Sequence, residues 1–147
     1  MKRPSIKECM LRTAEIFAER SVCSRLNVGC VITNKEMTNI EAIGYNGKEK
    51  GGSHEPDSDE PGKTGMIHAE ENALIKADYK VKEKKLFVTH SPCLMCARKI
   101  INAEIAEVYF KHAYRDPSPI HLLEKKGVKC FQLDPDGSGK FYRQTPF

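Results

Sequence analysis

Two short segments of this 147-residue chain carry side chains that can hold a metal ion and move protons. The first is His68-Ala69-Glu70 and the second is Pro92-Cys93-Leu94-Met95-Cys96. Cysteines three positions apart at a helix start fall on one face, so both sulfurs can grip one ion. The dipole and free N–H groups of a helix N-terminus favour thiolate over thiol. His68 supplies a third donor. Three protein donors leave one tetrahedral position of a zinc ion open, which is the arrangement of a catalytic site. Zinc held in this way acidifies water to a pKa of about 7 and makes it a nucleophile at neutral pH. Glu70, two residues beyond His68, is near the ion without being needed as a ligand, which suits a general acid and base. A bare C-x-x-C also serves redox pairs and structural zinc. A fourth protein ligand, such as Cys23, would turn the site into a zinc-stabilised binding module without catalysis. Glu70 has no purpose in that alternative.

The elements that must position these groups follow from periodicity and punctuation. Ser5 with Glu8 makes a capping box, and Ile6, Cys9, Met10, Thr13 and Phe17 follow at helical spacing, predicting a helix from Ser5 to about Arg20. Val28 to Thr33 and Ile40 to Tyr45 read as strands joined by the polar turn Asn34 to Asn39. Lys48 to Gly65 is rich in Gly, Pro and charge and reads as a long loop, a length that in compact domains usually signals function. Ile67 to Asp78 is helical, and Leu86 to Thr89 is a short buried strand. Ser91 reads as an N-cap with Pro92 at the first helical position, starting a helix to about Ala103. Val108 to Phe110 is a strand and Pro119 to Lys126 a helix stopped by Gly127. Val128 to Leu133 is the last strand, and a polar, turn-like tail follows Asp134. Strands alternating with helices imply one α/β domain over residues 1–147, a three-layer α/β/α sandwich on a mixed five-stranded sheet.

Bulk properties exclude several classes. Hydrophobic residues make up 39% and charged residues 30%, ordinary for a globular chain. Apolar runs are far too short to span a bilayer, and Met1 to Met10 has no signal-peptide core, so a cytoplasmic protein is expected. The net charge of +4 is small, and the run Lys80, Lys82, Lys84, Lys85 reads as a solvated surface rather than a nucleic-acid patch. Of the six cysteines, Cys9, Cys30 and Cys130 sit in apolar settings and read as small core residues.

Taken together, the two segments resemble the H-x-E … P-C-x-x-C signature of zinc-dependent nucleobase deaminases. The likeness extends through Arg25-Leu26-Asn27-Val28-Gly29, Gly44-Tyr45-Asn46-Gly47, His68 to Ala73, Thr89 to Cys93, Cys96-Ala97 and Ile100 to Ala103. Over roughly Ser5 to Leu133 the chain is similar to the deoxycytidylate (dCMP) deaminase family. That resemblance implies a cytidine deaminase-like fold, with zinc on His68, Cys93 and Cys96 and Glu70 as the catalytic residue. It implies hydrolysis of dCMP to dUMP and ammonia, supplying dUMP for thymidylate synthesis. Arg25 and Asn27 would reach the phosphate, for which a guanidinium is well shaped. Asn46 and Tyr114 would meet the sugar or phosphate, and Ala69 would lie in the substrate site. The family further implies a homohexamer activated by dCTP and inhibited by dTTP, with Tyr45, Gly47, Lys48 and Gly51 as effector contacts. A second, structural zinc on Cys23, His54 and His90 is a further expectation, although family members often place Cys where this chain has His54-Glu55. Glycine is usual where Glu104 stands, so the helix end is expected to shift there. Other substrates of the wider superfamily are dCTP, cytidine and tRNA adenosine.

Overall fold

The computed structural model describes residues 3–134 and 137–144. The tail positions 135–136 and 145–147, expected to be turn-like, lie outside the described residues. The elements are α1 (Ile6–Ala18), β1 (Gly29–Thr33), β2 (Ile40–Tyr45), α2 (Ala69–Lys76), β3 (Lys85–His90), α3 (Leu94–Asn102), β4 (Glu107–His112), α4 (Ser118–Lys125), β5 (Lys129–Leu133) and β6 (Phe141–Arg143). They form one mixed sheet in the order β2-β1-β3-β4-β5-β6. β1 pairs antiparallel with both β2 and β3, β3-β4-β5 run parallel, and β6 returns antiparallel on β5.

Three layers form because both sheet faces are apolar. Leu11 and Ala14 of α1 cover Val31, Phe87 and Tyr109 on one face. On the other, Ala69, Ala73, Ala97, Ile100 and Leu123 of the remaining helices cover Cys30, Ile32, Leu86, Val88 and Val108. β1 is buried at every position, as a strand covered on both faces must be. Two glycines set the helix–sheet distance. A Cβ on Gly29 would lie 1.8 Å from the Ala14 carbonyl oxygen, and one on Gly44 would lie 2.2 Å from that of Ala69. Both helices therefore touch the sheet backbone to backbone.

Several local expectations need correction. The sheet has six strands, not five: Phe141 of β6 packs edge-on against Tyr109 at 5.2 Å, and Arg143 pairs with the buried Glu124 at 3.4 Å. The buried stripe of α1 is Leu11, Ala14 and Ala18, so Cys9 is exposed rather than core. Only half of the first capping box forms. Ser5 accepts the Glu8 N–H at 3.0 Å, while the Glu8 carboxylate pairs with Arg12 at 2.9 Å. The N-cap of α3 is Cys93, not Ser91, so Pro92 stands outside the helix.

The end of α3 does not shift. Glu104 adopts φ 59°, in the left-handed region usually left to glycine. Its N–H reaches Ile101 O at 3.0 Å and that of Ile105 reaches Ile100 O at 3.3 Å, a Schellman closure. No helix among the described residues is long and apolar enough to cross a membrane.

Candidate active site

His68 is the N-cap of α2, Cys93 the N-cap of α3, and Cys96 lies in the first turn of α3. The sheet and the packing of α2 on α3 bring these two helix starts together. His68 Nδ1 lies 3.3 Å from Cys96 Sγ and 3.5 Å from Cys93 Sγ. Two such donors on one tetrahedral zinc would be about 3.5 Å apart, so the three fit that ion. All three donor atoms fall within 4.8 Å of one another, and among the described residues no other group of His, Cys, Asp and Glu does so.

The electrostatics suit a cation. A hydrogen bond from Cys96, together with His68, pulls the Cys93 thiol down to about 4, while sharing that proton pushes Cys96 up. Glu70 is 4% exposed, and burial drives its carboxyl up to about 7. A carboxyl poised there can both take and give a proton near neutral pH. Glu71 braces the assembly. It accepts the His68 N–H at 2.9 Å and pairs with Lys99, linking the start of α2 to α3.

A cavity of about 370 Å³ opens onto these groups, within the range of small-molecule sites. His68, Glu70 and Cys93 line it, and so do Arg25, Asn46, Ala69 and Tyr114. Asn27 does not: it is exposed and is not among the residues that line the cavity. Asn46 has a structural task as well. Its Oδ1 accepts the Val28 N–H at 2.9 Å and its Nδ2 donates to Leu26 O at 2.7 Å, joining the approach to β1 to the end of β2.

Sequence reasoning missed Gly62, Thr64, Gly65 and Met66, which form part of the cavity wall. They come from the long loop, whose length was the one signal available. Ser91 was also missed: its Oγ accepts the Tyr114 N–H at 3.0 Å. The second-zinc residues do not assemble. Cys23 and His90 line the main cavity, whereas His54 lines a separate cleft of about 300 Å³. That second cleft is also lined by Tyr45, Gly47, Lys48 and Gly51.

Residues 4–112 match the family described as the cytidine and deoxycytidylate deaminase zinc-binding region. "ComE operon protein 2" of Bacillus subtilis is 35% identical, over 92% of this chain and 75% of that protein. The deoxycytidylate deaminase of Saccharomyces cerevisiae is 33% identical over 90% of this chain, which spans 46% of the yeast protein. The crystal structure of a dCMP deaminase from the cyanophage S-TIM5, in complex with dCMP and dUMP, superimposes with a TM-score of 0.78 at 34% identity. It covers 90% of this chain and 99% of that one.

Proposed function

The chain belongs to the cytidine and deoxycytidylate deaminase family, and from that premise we propose that it hydrolyses dCMP to dUMP and ammonia. One observation carries the reading: a single cavity joins the His68, Cys93 and Glu70 cluster to Arg25, Asn46 and Tyr114. The first set suits the reaction and the second suits a nucleoside monophosphate. That the cyanophage relative binds dCMP and dUMP supports the same substrate.

His68, Cys93 and Cys96 would hold zinc, which supplies an acidified water as nucleophile. Glu70 would take a proton from the attacking water and pass it to ring N3. It would then take the proton of the hydroxyl left on C4 and pass it to the departing amine, so the leaving group is ammonia rather than an amide anion. Burial of Glu70 keeps bulk water from competing for that proton. The Ala69 N–H, at the start of α2, can donate to the pyrimidine. Arg25 meets the phosphate, and Asn46 and Tyr114 hold the sugar.

We extend the proposal to regulation by dCTP as activator and dTTP as inhibitor at the second cleft, where Tyr45, Gly47, Lys48 and Gly51 meet. A hexameric assembly, a cytoplasmic setting and supply of dUMP for thymidylate synthesis complete the reading, with residues 1–147 acting as one domain. Purified protein is assayed in parallel on dCMP, dCTP, cytidine and a tRNA anticodon stem, with dCTP and dTTP added to the dCMP reaction. Absence of dCMP turnover overturns the reading. Glu70→Gln should abolish turnover while zinc content stays the same. Loss of zinc together with activity would instead make Glu70 a metal-site residue.

A further inference from the structure

His90 ends β3 and pairs across the parallel register with His112 of β4. Its ring lines the main cavity beside Tyr114. The carboxyl ends of parallel strands are where α/β sheets present ligand-contacting side chains. We propose that His90 is a specificity-determining residue that offers a fixed Nε2–H to an oxygen of the nucleotide's sugar–phosphate. The proposal rests on the dCMP reading above.

The hydrogen bonding fixes the tautomer. Thr89 is 3% exposed, and its Oγ1 accepts the Gly29 N–H at 3.3 Å while lying 2.9 Å from His90 Nδ1. A buried hydroxyl needs an acceptor for its own proton. Gly29 N–H is a donor, so the hydroxyl proton goes to His90 Nδ1. The ring proton then sits on Nε2. Two rings flank it: His112, tilted against it at 4.8 Å, and Tyr114, stacked at 6.3 Å between centroids. Burial, with His112 beside it, keeps the ring below its usual basicity, so it is an uncharged donor.

Placement selects the sugar–phosphate end. Among the residues lining the cavity, His90 stands beside Tyr114, with ring centroids 6.3 Å apart. Tyr114 is the residue placed on the sugar above, so a pyrimidine held at Glu70 brings its sugar toward His90. With Nδ1 committed to Thr89, the same histidine cannot also give that nitrogen to a metal.

Turnover of dCMP by the unaltered protein tests the underlying reading, and the variants test this one. In His90→Leu the KM for dCMP should rise at least about tenfold with kcat within about threefold. Zinc content should not change. His90→Gln, whose amide nitrogen reaches near the Nε2 position, should recover most of the loss. Histidine ¹⁵N NMR of the unaltered protein should report His90 protonated on Nε2. Competition by dUMP and by deoxyuridine separates the two acceptors. Weakening confined to dUMP assigns the phosphate, and equal weakening assigns the sugar. The proposal is overturned by an Nδ1–H tautomer, by a fall in kcat at unchanged KM, by a glutamine variant no better than leucine, or by unchanged inhibition by both ligands.

Discussion

Gly44→Ala tests whether the catalytic geometry depends on direct contact between α2 and β2. The added Cβ would stand 2.2 Å from Ala69 O and 2.6 Å from Ala73 N. Both are backbone atoms of α2, so no side chain can swing aside to relieve them. Restoring an ordinary contact moves the helix start outward by about 1 Å. That turn carries His68, Ala69 and Glu70, while Cys93 and Cys96 sit on a different helix. The shift therefore opens the donor triangle and draws Glu70 away from the reacting atoms. A misplacement of about 1 Å in a catalytic array costs on the order of a hundredfold in rate, or about 2.7 kcal/mol. Overpacking costs stability too, about 1–3 kcal/mol, which in a chain of this size lowers the Tm by about 3–10 °C. The assay is kcat/KM on dCMP with zinc in excess, alongside thermal melts and zinc content. Activity within threefold of the unaltered protein and a Tm within 1 °C would refute the reasoning, because a helix in true contact cannot absorb that methyl group.

Three further outcomes follow from particular contacts. Glu104→Gly removes a left-handed non-glycine residue from the end of α3, so the Tm should rise by about 2–4 °C despite loss of the exposed pair with Lys82 at 3.0 Å. Burial pushes the Glu71 carboxyl up, but Lys99 and the His68 N–H pull it down further, leaving it net below its ordinary 4.5. Its stabilising effect is therefore full above that ordinary value and is lost as pH falls through the lower folded-state value. Lys99→Met should flatten the acid limb of a Tm-against-pH series by less than about 1 kcal/mol, since the pair is partly solvated. His68 Nδ1 and the two cysteine sulfurs face one another across the starts of α2 and α3, so an ion bound between them would tie the two helix starts together. Chelation should accordingly raise amide exchange in residues 69–72 and 94–97 and leave β1 and β3 protected; uniform deprotection would contradict this.

What the sequence made legible divides by range of interaction. Helices and central strands could be read because their signals are local: β-branched runs for β1, and a proline and glycine bounding α4. Gly127 takes φ 88° directly after that helix, as its stop signal implied. β6 was illegible because three residues hold it through partners far away, Tyr109 and Glu124. The face of α1 was misjudged because spacing alone could not reveal that Ala14 must meet Gly29. Asn27 and Asn46 looked alike beside their motifs. Only the fold shows Asn46 bound to the chain on both sides of residue 27 and Asn27 turned to solvent. Thr64 and Met66 lie in a loop without periodicity, so nothing in their spacing could point at the cavity they line.

The same division explains why the reaction was easier to read than the substrate. The site lies where pairing changes from antiparallel, between β1 and β3, to parallel, between β3 and β4. Beyond the carboxyl end of β3 the chain enters α3. The long loop after β2 returns through a bridge between Gly47 and Ile67 and enters α2. Two helix N-termini therefore converge on one crevice, each bringing free N–H groups and the positive end of its dipole. Thiolates and a nucleotide both gain from that field. A ligand at a helix start belongs to a local motif, so His68, Glu70, Cys93 and Cys96 keep their meaning in the bare sequence although 25 positions separate His68 from Cys93. Arg25, Asn46, Thr64 and Tyr114 reach the crevice from three separate connections, α1–β1, β2–α2 and β4–α4. Their meaning exists only after the sheet has formed, so the proposed recognition of sugar and phosphate belongs to tertiary structure and the proposed proton transfer to two short helical turns.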